Sequence, residues 1–124
     1  MTRILYVDDE EDIREVAVLA LSLDPEIDVQ AAPSGSAALD ILPQWRPDLV
    51  LLDVMMPGMD GPATLARIRE QPAHEDLPVV FITARTQAHE VQRFLSLGAV
   101  GVIAKPFDPM TLASTARSFL VKAI

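Results

Sequence analysis

Residues 48–61 read Asp48-Leu49-Val50-Leu51-Leu52-Asp53-Val54-Met55-Met56-Pro57-Gly58-Met59-Asp60-Gly61. Asp48 to Leu52 reads as a strand, apolar without alternation from Leu49 on. A strand of that kind is covered on both faces, as in a parallel sheet lying between two layers of helices. It ends on an acid, Asp53, and the next segment holds Pro57, Gly58 and Gly61, the residues of a turn-rich loop. Pro62 then suits the first position of a helix running to about Glu70.

The same pattern recurs on both sides of this stretch. Upstream, Ile4-Leu5-Tyr6-Val7 is a buried strand that ends at Asp8-Asp9. A helical pattern follows from about Glu11 to Leu23, with Ile13, Val16, Ala17, Ala20 and Leu21 as its apolar stripe, and Asp24-Pro25 stops it. A second strand fits Ile27 to Ala31, and Ser34 caps a short helix through Leu42 that Pro43 closes. Downstream, Pro78 to Ile82 is a fourth strand ending at Thr83, and a helix fits Thr86 to Leu97, closed by Gly98. Val100 to Ala104 is a short fifth strand ending at Lys105-Pro106. Asp108 caps a last helix, with Pro109 in its first turn, that runs to the C-terminus.

Five strand-then-helix units predict an α/β fold, a five-stranded parallel sheet sandwiched between helices in three layers. The strand order is not written in the sequence; 2-1-3-4-5, common for doubly wound sheets, is adopted. Without linker, repeat or low-complexity segment, residues 1–124 read as one domain. Met1 stands so close to the first strand that a natural N-terminus is expected. The chain is either a stand-alone domain or a piece of something longer.

Half of the residues are hydrophobic, enough for a substantial core. The absence of cysteine excludes disulfides, thiolate metal sites and a cysteine nucleophile. Neither a signal peptide nor an apolar run of membrane-spanning length is present, so a cytoplasmic location is expected. Eighteen acidic residues against ten basic ones give a net charge of −8. Such a chain repels phosphate backbones and anionic lipid, so direct contact with nucleic acid or membrane is not expected.

In open α/β sheets, ligands bind outside the carboxyl ends of the strands. Those ends carry Asp8 and Asp9, Asp53, Thr83 and Lys105. At an effective dielectric near 20, two like charges about 5 Å apart repel by roughly 3 kcal/mol. Three converging carboxylates would raise one or more pKa values or require a cation, and Lys105 supplies only one positive charge. Oxygen donors without His or Cys point to a hard ion such as Mg²⁺. Mg²⁺, Lys105 and the Thr83 hydroxyl together would offset the charge of a transferring phosphoryl group, and Asp53, placed centrally, is the candidate nucleophile. Taken singly, each residue has a plainer use: Asp9 as a helix cap, Lys105 as a surface lysine, Thr83 and Asp53 as turn residues. Polar groups at four strand ends together make the site.

These residues also match a known pattern. Ile4 to Glu10, Asp48 to Gly61, Ile82-Thr83-Ala84 and Lys105-Pro106-Phe107 resemble, in order and spacing, the response-regulator receiver domain of two-component signalling, over the whole chain. The resemblance implies a flavodoxin-like fold. It implies that Asp8 and Asp9 position Mg²⁺, with Asp53 as phosphoacceptor and third ligand and Met55 offering its backbone carbonyl. Thr83 and Lys105 would contact the phosphoryl oxygens, and the Lys105-Pro106 peptide would be cis. The implied partners are a sensor histidine kinase or histidine phosphotransfer protein, and a downstream protein target.

One position departs from the family. The aromatic residue commonly found three positions before the lysine, which moves together with the threonine on phosphorylation, is Val102 here. Since the fifth strand is an uncharged sheet edge, the surface of the fourth helix, fifth strand and last helix is the expected face for partner binding or homodimerisation. His74 and His89 are expected to be solvated, and Trp45 to pack against the second helix. The methionines read as fillers, and no nucleotide-binding glycine motif is present.

Rival functions are distinguishable. A phosphatase of the haloacid dehalogenase type, similar in fold and in its aspartyl phosphate, wants a second Asp two residues after the nucleophile; here Met55 cannot donate a proton. A non-phosphorylated interaction module would have lost acids or lysine that are all present. Flavodoxin-like electron transfer would need anion-binding donors where the first loop is acidic.

Overall fold

Leu49–Asp53, the third strand (β3), is buried at all five positions. Around it the computed structural model, which describes residues 1–121, places four further strands and five helices. The strands are β1 (Thr2–Val7), β2 (Ile27–Ala32), β4 (Val79–Thr83) and β5 (Gly101–Ala104). The helices are α1 (Glu11–Ser22), α2 (Gly35–Ile41), α3 (Gly61–Arg69), α4 (Ala88–Ser96) and α5 (Leu112–Val121), and a 3-10 turn occupies Pro72–His74. The sheet is parallel throughout, in the order β2-β1-β3-β4-β5, as expected.

Strand alternation divides the core in two. Leu5, Val7, Val50, Leu52, Val79 and Phe81 face one side, where Ala38 of α2, Leu65 and Ile68 of α3 and Phe94 of α4 cover them. Ile4, Tyr6, Leu49, Leu51, Val80 and Ile82 face the other, under Ala17 and Leu21 of α1 and Leu112 and Ala116 of α5. Each large side chain buried in this way stabilises the fold by about 1.5–3 kcal/mol. Trp45 is half-buried against the first of these clusters, with the Arg3 guanidinium 5.5 Å from its ring centre.

Local chemistry sets the helix starts. Ser34 Oγ accepts from the Ala37 N–H at 3.0 Å and Asp60 Oδ1 accepts from the Ala63 N–H at 2.9 Å, with Pro62 in the first turn of α3. Gly61 is required by close approach, since a Cβ there would lie 2.6 Å from the Asp53 carbonyl oxygen. The start of α3 is thereby seated directly on the end of β3.

Some expectations need correction. Val16 is not part of the buried stripe of α1 but 41% exposed; the helix packs through the small residues Ala17 and Ala20, beside Leu21, and Val16 lies off that line. α4 starts at Ala88, without a side-chain cap. Asp108 closes a turn by accepting from the Met110 N–H, so α5 starts only at Leu112; the expected end of that helix, residues 122–124, lies outside the described residues. His74 is buried, because the 3-10 turn folds it against α2 and α3, and its Nδ1 has no hydrogen-bond partner among the described residues. His89 is exposed, as expected.

Candidate functional site

β1 and β3 are paired so that Val7 stands beside Leu52. One step further along each strand are Asp8 and Asp53, both buried, while Asp9 beside them is exposed. Asp8, Asp9 and Asp53 each offer a carboxylate oxygen, and these oxygens lie within 4.8 Å of one another. On the far side of β3, Asp53 is paired with Ile82 of β4, and Thr83 follows as the buried last residue of that strand. Lys105 follows β5. Its N–H donates to the Thr83 carbonyl at 2.9 Å, and its side chain crosses the strand ends to reach Asp8 Oδ2 at 3.0 Å and Asp53 Oδ2 at 3.3 Å. The Lys105-Pro106 peptide is cis. Thr83 Oγ1 accepts from the Arg85 N–H at 3.0 Å.

Burial pushes the Asp53 carboxyl up to about 6, and the charge of Asp8 adds to that; Lys105 and a hydrogen bond from the Met55 backbone oppose it. Burial works against the Lys105 charge, yet hydrogen bonds and charges from Asp8 and Asp53 outweigh it and raise its pKa above that of an ordinary lysine. One amine therefore balances part of a larger negative charge. The remaining oxygen donors suit a hard divalent cation, and neither a thiolate nor an imidazole belongs to the described cluster.

Asp8, Asp9, Asp53 and Lys105 are thus brought together at the carboxyl edge of the sheet, with Thr83 at the adjoining end of β4. Met55 follows in the loop, 68% exposed, with its backbone hydrogen-bonded to Asp53. Three further groups act on Asp8. The Tyr6 hydroxyl donates to its Oδ2 at 3.0 Å, the Glu10 N–H to its Oδ1 at 3.0 Å, and Arg14 Nη1 to its carbonyl at 2.9 Å. Tyr6 had a sequence signal: two residues before Asp8 on a strand, it shares the same face. The position of the absent aromatic, Val102, is half-buried; it is paired with Phe81 and packs on the cluster holding Phe94.

Residues 4–117 match the sequence model of the response regulator receiver domain. The chain belongs to this family. Receiver domains are parts of two-component response regulators and do not form a dedicated enzyme family. Relatives include the transcriptional regulatory protein CseB of Streptomyces coelicolor, 39% identical over 96% of this chain and 49% of that protein. The phosphate regulon transcriptional regulatory protein PhoB of Escherichia coli is 36% identical over 95% of this chain and 51% of that protein. The chain spans about half the length of these two relatives. Among solved structures, the chemotaxis response regulator CheY4 of Vibrio cholerae is 32% identical, with a TM-score of 0.88, covering 96% of this receiver domain and 98% of that chain. No helix among the described residues is long and apolar enough to cross a membrane.

Proposed function

We propose that this receiver domain, taken as residues 1–124, is a switch in which Asp53 accepts a phosphoryl group from a phosphohistidine on a sensor histidine kinase or histidine phosphotransfer protein. The observation that carries this reading is the gathering of buried Asp53 with Asp8 and Asp9 around the single amine of Lys105, too little positive charge to balance the cluster.

Asp8, Asp9 and Asp53, with the Met55 backbone carbonyl, would hold Mg²⁺. When bound, the ion offsets negative charge on the incoming phosphoryl group. An Asp53 carboxylate oxygen attacks phosphorus, forming the acyl phosphate as the P–N bond to the donor imidazole breaks; the imidazole keeps the bonding pair and takes a proton from solvent. Lys105 exchanges its contacts with Asp8 and Asp53 for a phosphoryl oxygen. The Thr83 hydroxyl, which accepts from Arg85, still has its own proton to donate to another. The same groups serve phosphorylation from small donors and slow hydrolysis of the acyl phosphate. Met55 has no proton to donate, which argues against phosphatase turnover of the haloacid dehalogenase type.

The expected output is a change in affinity for a downstream protein in the cytoplasm. The edge strand β5 and the exposed Leu95, Leu97 and Val100 support the α4–β5–α5 face as the partner or homodimer surface. With Val102 packed in place of a ring, Thr83 and the loop after β4 carry the signal to it. The charge of −8 argues against nucleic-acid contact by this domain itself. The DNA binding named for the relative MtrA of Mycolicibacterium smegmatis belongs to that protein.

Mass spectrometry after treatment with a small phosphodonor and Mg²⁺ tests the assignment. The chain should gain one phosphoryl group, Asp53→Asn none, and excess chelator should abolish the gain. An Asp53→Asn chain that is still phosphorylated, while Asp8→Asn is not, contradicts it.

A further inference from the structure

Asp8 is fully buried, and its Oδ2 serves two donors at once: the Tyr6 hydroxyl at 3.0 Å and Lys105 Nζ at 3.0 Å. The two donors differ in freedom. Lys105 is long, 18% exposed in its side chain and shared with Asp53. Tyr6 is wholly buried on β1, and its ring meets Phe107 edge-on, with centroids 6.4 Å apart at 71°. Its hydroxyl cannot follow the lysine.

From this geometry we infer that Tyr6 is a positioning residue: it keeps the Asp8 carboxylate oriented for metal binding while Lys105 moves to the phosphoryl group. The inference rests on the phosphotransfer reading above. Were position 6 apolar, departure of the amine would strip Asp8 Oδ2 of both protein donors. A buried carboxylate oxygen in that state turns toward another donor or draws the lysine back. The hydroxyl removes both tendencies without adding charge. Phe107 lies directly after Lys105-Pro106, so Tyr6 contacts the acid through its hydroxyl and the segment bearing the lysine through its ring. The plainer account is that Tyr6 fills the core and its hydroxyl merely finds an acceptor.

Tyr6→Phe keeps the ring and removes the hydroxyl. Loss of a group that orients a metal ligand typically weakens metal binding by about ten-fold or more. The variant should therefore need about ten-fold more Mg²⁺ for half-maximal phosphorylation. Direct Mg²⁺ binding by calorimetry should weaken in parallel. A core filler would alter thermal stability but leave the Mg²⁺ dependence superimposable on that of the wild type, and that result overturns the inference. Tyr6 is the chain's one tyrosine, so ¹³Cζ-tyrosine labelling of the native protein gives a single resonance at the site. That resonance should shift on adding Mg²⁺ and again with beryllofluoride; a static resonance also overturns the inference, even if Tyr6→Phe does not fold. Failure of the underlying reading is seen separately, as a wild type phosphorylated at full rate in chelator.

Discussion

The middles and the carboxyl ends of β1, β3 and β4 are built on opposite terms. The middles, such as Leu5, Leu51 and Phe81, are fully buried among apolar neighbours. The ends, Asp8, Asp53 and Thr83, are almost as deeply buried, yet carry like charge and hydroxyl groups. Burial stabilises in the first region. In the second it opposes ionisation, as the Asp53 carboxyl near 6 shows. The fold is held by one part of each strand and strained electrostatically by the next residue or two.

This contrast sets the signs of substitutions. The largest effect belongs to the middles: Leu51→Ala should destabilise by about 3 kcal/mol in urea unfolding, while the folded protein still accepts a phosphoryl group. A cost near zero would remove the distinction. Lys105→Ala comes next. Without metal it leaves Asp8 and Asp53 unbalanced and should cost about 2 kcal/mol, between surface and buried ion-pair values. Calorimetry should find Mg²⁺ bound at least as tightly, since a competing positive charge is gone, whereas the phosphorylated state is weakened. Markedly weaker Mg²⁺ binding would contradict its assigned role. Asp53→Asn should act in the other direction, stabilising the metal-free chain by about 1 kcal/mol once screening is allowed for.

The sequence carried the contrast itself. Continuous apolar runs ending in Asp8, Asp53 and Thr83 revealed both the parallel sheet and the crevice, because such sheets gather ligands at one edge. Tyr6 escaped notice as one more member of an apolar run; its hydroxyl matters only through the side chain two residues on. His74 was misjudged because residues 71–77 have no periodicity to reveal an inward face. Val16 was misplaced because α1 packs through alanines, which a search for large apolar residues underweights. The detailed partners of Lys105 depend on how its side chain crosses two strands, which spacing alone does not specify.

The smallest predicted effect is in pH dependence, where two groups have opposite signs. Asp53 is raised to about 6 from an ordinary 3.8, so the folded state holds its proton more tightly than the unfolded state. Its contribution is fully present below 3.8 and lost as pH rises through about 6. His74 is depressed below its ordinary 6.5 by burial, with the charge of Arg46 adding to the effect. Its contribution is present above 6.5 and lost as pH falls through the lower folded value. In metal-free protein, the advantage of Asp53→Asn over wild type should grow as pH rises through about 6. The stability difference between wild type and His74→Gln should instead shift against the wild type as pH falls below 6.5. Unfolding midpoints across this range check both; slopes of the same sign would count against the burial of one of the two groups.

The most direct test is to follow the unfolding midpoints of wild type and Asp53→Asn at neutral pH, from excess chelator to saturating Mg²⁺. If the strand ends hold charge that awaits a cation, Asp53→Asn is the more stable without metal, and the gap closes or reverses as Mg²⁺ stabilises the wild type. A wild type that is already the more stable in chelator, with a gap indifferent to Mg²⁺, would contradict the account.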